Sequence, residues 1–255
     1  MPVLCIQGIQ SSVGSSTVTA NVARNLYDLN QDVLVIDLNP SNLLRLHFNM
    51  DWFNKSGWAL NVLNDEAWYK AGFKCELGVN FIPFGGISYD NQLDLLEKIN
   101  TDTWLSEKLN LAKNSKKKWL ILNTGSELNK LSIQALKYAD SIIRVIEPQV
   151  ISVSLISDSI QSNYLKNDSA LNTKCLYLIN KFMPLSQLDH DTSLVLKAHL
   201  ANSLIPVKIY YDENIKEALA QKTTVQLYSP ESATSKQFKT LATWIMLHFS
   251  HKVSA

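Results

Sequence analysis

Val3-Leu4-Cys5-Ile6-Gln7-Gly8-Ile9-Gln10-Ser11-Ser12-Val13-Gly14-Ser15-Ser16-Thr17 sets an apolar run against a short loop and the start of a helical pattern reaching Asn25. A buried strand that turns tightly into a helix is the layout of a phosphate-binding loop, in which backbone N–H groups at a helix N-terminus face an anion. The N–H groups from Val13 to Thr17 are placed for that role, and Ser16 offers a hydroxyl where a magnesium ion would take one. Ser15, however, stands after Gly14 where such loops carry lysine. The predicted loop is a cradle without its positive clamp.

Outward from this loop, short apolar runs recur at Val3–Ile9, Val33–Leu38, Val79–Phe84, Trp119–Asn123, Ser141–Ile146, Lys174–Asn180 and Val207–Tyr211. Nearly all alternate with helical patterns: Thr17–Leu29, Asn91–Lys113, Asn129–Tyr138, Ser152–Lys166, Ser186–Ala201, Asn214–Ala220 and Ser232–His248. Runs that are apolar throughout, rather than at every second residue, belong to strands covered on both faces. The expected fold is therefore α/β, a three-layer arrangement with a mostly parallel sheet between helices. Phe238, Leu241, Ala242, Ile245 and Phe249 share one face of the last helix and are read as core. In open α/β sheets a ligand sits at the carboxyl ends of the strands, which is where the first loop lies.

A chain of 255 residues, 46% hydrophobic, is long enough for one well-buried core, and no Pro-, Gly- or Ser-rich stretch divides it. Residues 1–255 are read as a single domain. A net charge of +1 gives no electrostatic case for nucleic acid. The densest basic run, Lys116-Lys117-Lys118, is read as a solvated lead-in to the strand after it. Cys5, Cys75 and Cys175 lie far apart in apolar settings without ligand spacing, which predicts reduced core thiols and neither disulfide nor zinc. No run approaches the roughly 20 apolar residues of a membrane span, and no signal-peptide pattern opens the chain. A cytoplasmic protein without direct membrane insertion is expected.

His47, His190, His199, His248 and His251 are scattered, and no Gly-x-Ser-x-Gly elbow accompanies them, which argues against hydrolase and metalloenzyme chemistry. Trp52, Phe53, Trp58 and Trp68 cluster between the second and third predicted strands. They read as core filler or as an aromatic partner surface.

The loop, set beside Asp37-Leu38-Asn39 after the second predicted strand and Asn123 ending the fourth, resembles the MinD/ParA group of P-loop ATPases. The resemblance implies that Gln10 stands where the signature lysine reaches across a dimer, and Ser15 where the P-loop lysine sits. Asp37 keeps one acid of that group, while Asn39 replaces the water-positioning carboxylate and Asn123 the one that holds magnesium through its waters. All of these changes remove charge from one site, which points to lost hydrolysis. Asn180-Lys181 falls where related ATPases use an Asn to read adenine, and Asp212-Glu213-Asn214 resembles their base-side loop. An ordinary strand end and a helix N-cap at Asp212 account for the same residues equally well. The implied vestigial nucleotide site comprises Gln10, Val13, Gly14, Ser15, Ser16, Thr17, Asp37, Asn180 and Lys181, with no catalytic residue and no protein metal ligand. No cofactor is certain; weak ATP and magnesium binding is possible, since loss of two lysine contacts worth roughly 1.5–3 kcal/mol each weakens rather than forbids it.

Asn42-Leu43-Leu44-Arg45-Leu46-His47-Phe48-Asn49-Met50-Asp51 with Gly57-Trp58-Ala59, the Pro83-Phe84-Gly85 turn and Leu241-Ala242-Thr243-Trp244 is similar to one branch of that group, the MinD-like cellulose biosynthesis protein Q family. The resemblance implies a cytosolic regulatory or assembly subunit, peripheral to the inner membrane through its partners. Those partners would be cellulose synthase complex subunits, a very short companion protein and a cyclic-di-GMP-sensing regulator, with a possible homodimer. The competing expectation is an active positioning ATPase that dimerises with nucleotide.

Overall fold

The computed structural model describes residues 1–75, 78–113, 119–161 and 175–253. A 7-stranded sheet runs through its centre in the order β3-β4-β2-β5-β1-β6-β7. The strands are β1 (Val3–Gly8), β2 (Val33–Asp37), β3 (Phe73–Lys74), β4 (Asn80–Ile82), β5 (Trp119–Gly125), β6 (Ser141–Ile146) and β7 (Cys175–Ile179). All neighbours pair parallel except β3 with β4.

Strand side chains alternate between the two faces of the sheet, and both faces are buried. In β1, Val3 and Cys5 enter one core together with Leu122, Ile142 and Ile179, whereas Leu4 and Ile6 enter the other with Ile121, Ile143 and Leu178. Helix α1 (Ser15–Asp28), α9 (Val225–Tyr228) and α10 (Ala233–Val253) cover the second face. The first face is covered by α2 (Trp58–Leu63), α3 (Tyr89–Lys98), α4 (Trp104–Lys113), α5 (Lys130–Tyr138), α6 (Val150–Gln161) and α7 (Gln187–Leu200). Helix α8 (Glu213–Ala220) joins α7 to α9 in sequence. Phe238, Leu241, Ala242, Ile245 and Phe249 are all buried, as the helical stripe predicts. Fully burying a side chain of this size stabilises by about 1.5–3 kcal/mol, so this one face anchors α10.

Three expectations are corrected. The helix expected over Asn91–Lys113 is two helices, α3 and α4, because the sequence Asn100-Thr101-Asp102-Thr103 favours turn hydrogen bonds over helix interior. Gln134 secures the break from outside, accepting from Leu105 N–H at 2.9 Å and donating to Thr101 O at 2.9 Å. The strand expected at Val207–Tyr211 is an irregular edge segment. Ile205 N–H donates to Tyr177 O (2.8 Å), the chain then bends at Pro206, whose φ is fixed, and bonding to β7 resumes only at Ile209 N–H to Ile179 O (2.9 Å). Finally, β3 was not expected; two residues carry no periodicity. Lys116-Lys117-Lys118 and the end of the helix expected to reach Lys166 lie outside the described residues.

The Gly57 and Gly85 motifs have a shared physical reason. Trp58 N–H and Ala59 N–H donate to Pro83 O and Phe84 O, both at 3.0 Å, which lays the two segments directly on each other. A Cβ on Gly57 would come within 2.1 Å of Gly85 N. Trp58, thus fixed, is buried against Phe84 and Trp104 and donates its indole N–H to Asp37 O at 2.7 Å. Trp68 is buried too, but Trp52 and Phe53 are exposed, so the aromatic cluster divides between core and surface.

Candidate functional site

Strand order makes β1 the central reference of the sheet, with β5 on one side and β6 on the other, so the loop after β1 opens at the carboxyl edge between them. The loop needs backbone conformations that only some residues adopt easily. Gly14 sits at φ 92°, and a Cβ there would lie 2.5 Å from Asn180 Nδ2. Ser12 holds φ 62° without a glycine's freedom. Val13 buries its side chain beneath the loop and contributes only backbone.

A cavity of about 480 Å³ opens over the loop. Gln10, Gly14, Ser15, Ser16 and Thr17 line it, together with Asn39 from the β2 end and Thr124, Gly125 and Ser126 from the β5 end. Its lining contains hydroxyls, amides and the Glu127 carboxylate, and no lysine or arginine. The loop residues are therefore brought together around one cavity.

Below the loop, Asn123 of β5 lies between Ser16 and Asp37. Its amide Nδ2 donates to Asp37 Oδ1 at 2.8 Å and to Ser16 Oγ at 3.3 Å, while its Oδ1 accepts from Thr19 Oγ1 at 3.4 Å. Asp37 also accepts from Asn39 N–H at 3.1 Å, and its Oδ2 is buried without a partner. Burial pushes the Asp37 carboxyl up to about 7, even though the Asn123 amide and the Asn39 and Leu44 N–H groups pull the other way. This donor set does not suit magnesium. The Ser16 lone pair that a cation would take faces an N–H, and the Asp37 carboxyl beside it is buried and costly to ionise.

Asn180 and Lys181 reach the loop from the end of β7. Asn180 Nδ2 donates to Val13 O at 2.8 Å, and its Oδ1 is buried without a partner. Lys181 Nζ donates to Ser12 O at 2.6 Å and pairs with Glu147 at 2.7 Å. Both residues thus bind loop carbonyls. A smaller cavity of about 60 Å³ beside them is lined by Gly14, Thr17, Tyr210, Tyr211 and Asp212 among others, so the two predicted base-side segments do meet. Asp212 is the N-cap of α8, accepting from Asn214 N–H at 2.9 Å.

Two neighbours escaped sequence reasoning. His47, one of the scattered histidines, lines the large cavity with Nε2 3.4 Å from Thr17 Oγ1; burial lowers it to about 4, so it is neutral. Glu147 pairs with Lys181 across two strand ends. Nothing in their spacing marks either residue, because the contacts are made only by strand order.

The family described as cellulose biosynthesis protein BcsQ matches residues 1–246. A cellulose biosynthesis protein BcsQ of Escherichia coli (strain K12) is 30% identical over 98% of this chain and 96% of its own. Among solved structures, the Pyrococcus furiosus cell division ATPase MinD aligns over 96% of this chain and 98% of its own, with a TM-score of 0.75 at 20% identity. A ParA family ATPase from Chlorobium tepidum aligns over 94% and 97%, with a TM-score of 0.75 at 17% identity. The fold is that of the MinD/ParA P-loop ATPases. Among the described residues, no helix is long and apolar enough to cross a membrane.

Proposed function

Because this chain belongs to the cellulose biosynthesis protein BcsQ family, we propose that it is a non-catalytic regulatory or assembly subunit of the bacterial cellulose synthase secretion complex, a MinD-like pseudo-ATPase. The observation that carries this reading is the Asn123 amide, which fills the space below the loop with donors to Ser16 Oγ and Asp37. Hydrolysis needs one carboxylate to organise water and another to hold the metal shell. Asn39 and Asn123 are amides that accept no proton and carry no charge. The rigid α/β framework then serves to present surfaces to partners: synthase subunits, a short companion protein and a cyclic-di-GMP-sensing regulator. Cellular placement is cytosolic, at the inner membrane through those partners.

Isothermal titration with Mg-ATP, alone and with the short companion protein encoded in the same operon, tests the reading. Heat of binding near or weaker than millimolar and phosphate release equal to a no-protein control support it. Turnover that disappears in Ser16→Ala overturns it, since only a live phosphate loop depends on that hydroxyl.

One observation favours the alternative of a nucleotide-dependent positioning ATPase. Lys181 Nζ already touches the loop at Ser12 O, so a cation stands beside a cradle that lacks its own. Under that alternative, Mg-ATP binding would be lost in Lys181→Ala.

A further inference from the structure

Arg144 lies in the middle of β6 and is 8% exposed. Its guanidinium carries a fixed positive charge, and such a group is not left in a protein interior without a counter-charge. Yet its Nε has no hydrogen-bond partner, and none of the ion pairs among the described residues involves it. The strand register sets Gln7 of β1 beside it on one side and Tyr177 of β7 on the other, all three facing the same layer of helices. Gln7 is buried, and its Nε2 is likewise without a partner. Ser152, fully buried in the first turn of α6 and one helical turn before the core residue Ile156, has an unpartnered Oγ on that side of the sheet. The unsatisfied atoms of Arg144, Gln7 and Ser152 can all donate a hydrogen bond.

One register step below, Cys5, Ile142 and Cys175 stand side by side. Burial pushes the Cys5 thiol up to about 12 and raises Cys175 as well, so neither supplies a thiolate to balance the arginine.

We propose that Arg144, with Gln7 and Ser152, forms a buried binding site for a small monovalent inorganic anion of the size of chloride. Donors lacking acceptors define the chemistry, and one uncompensated positive charge sets the valence. The small exposure of Arg144 leaves no room for a group as large as a nucleotide. The site is on the helix-covered face of the sheet and is separate from the cavity over the phosphate loop, whose lining does not include these residues. The anion is a structural ligand that neutralises the sheet interior.

The test is thermal unfolding of the intact chain at fixed sodium concentration in chloride, bromide or gluconate, the last too large to enter. The expected result is a midpoint that rises with chloride and bromide to saturation, by at least about 2 °C over gluconate, as ligand linkage requires. In Arg144→Met, which removes the buried charge while filling its volume, the midpoint should not respond to the exchange. Equal midpoints in all three salts for the unsubstituted chain, or the same response in Arg144→Met, would overturn the proposal. Crystals soaked in bromide give an answer that needs no variant: an anomalous peak beside the Arg144 guanidinium supports the site, and a water without anomalous signal there refutes it.

Discussion

The side-chain amide of Asn123 donates to the Asp37 carboxylate at 2.8 Å, tying the ends of adjacent parallel strands β5 and β2 beneath the phosphate loop. The same amide reaches Ser16 in α1. One neutral side chain thus holds strand, strand and loop together where related ATPases would keep acids for a metal. The arrangement stiffens the loop from below and removes the charge that chemistry would use.

The Asp37 pair has a pH signature. A carboxyl raised from 3.8 to about 7 in the folded chain binds its proton more tightly than in the unfolded chain. Its contribution is therefore fully present below about pH 4 and is lost as pH rises through about 7. Over that window the loss is on the order of 4 kcal/mol, taking about 1.36 kcal/mol per unit. His47 acts oppositely: lowered to about 4, it costs stability as pH falls below its unfolded value of 6.5. The two are separable by substitution. Urea unfolding from pH 4.5 to 8.5 should show the downward trend flattened in Asp37→Asn, with the acid-side loss from His47 intact. An unchanged slope in Asp37→Asn would show that Asp37 is ionised throughout.

On the proposed reading, charge rather than fold is what the phosphate site lacks. Ser15→Lys together with Asn123→Asp should raise Mg-ATP affinity at least tenfold by calorimetry, each restored contact supplying of order 1–3 kcal/mol. Unchanged affinity in a folded double variant would locate the defect in the loop backbone, where Ser12 sits at φ 62° without a glycine's freedom.

Lys181 and Asn180 fasten the loop from above through Ser12 O and Val13 O. The pair joins a half-exposed Lys181 to a mostly covered Glu147 and is worth on the order of 1 kcal/mol, so Lys181→Ala should lower the global unfolding free energy by only about that much. The loop itself should open more readily. Hydrogen exchange of the amides from Ser11 to Ser15 should accelerate severalfold in Lys181→Ala, while the β1 amides keep their protection. Equal loop exchange rates in the two proteins would mean that Asn180 and the backbone suffice.

The sheet was legible because six of its strands are mainly apolar without strict alternation, and such runs have few readings other than a strand buried on both faces. Asn39 just past β2 and Asn123 near the end of β5 could be placed at the carboxyl edge from the sequence because each lies at the end of an apolar run. Val207–Tyr211 was misread since the same apolarity serves an edge segment whose hydrogen bonding Pro206 interrupts. The roles of His47, Glu147 and Arg144 could not be read at all. Each depends on which strands lie side by side, and residues 7 and 144 become neighbours only through the order β5-β1-β6.

The last prediction concerns self-association. In the related ATPases a lysine at the position of Gln10 ties the dimer to nucleotide, whereas Gln10 is neutral and lines the cavity of its own chain. Exposed apolar side chains follow the strands at this carboxyl edge: Leu43 after β2, Leu128 after β5, Val150 and Ile151 in the first turn of α6 after β6, and Met183 after β7. Any dimer formed through this edge is therefore held by direct apolar contact rather than by a shared nucleotide. Its mass by light scattering should be the same in Mg-ATP, Mg-ADP and EDTA. Apolar contacts are little screened, so moderate salt should not shift it either. Leu128→Asp with Met183→Asp should lower the associated fraction in all three conditions alike. A monomer that becomes a dimer only with Mg-ATP would refute the pseudo-ATPase reading, because association would then depend on the bound nucleotide that the uncharged loop is argued to have given up.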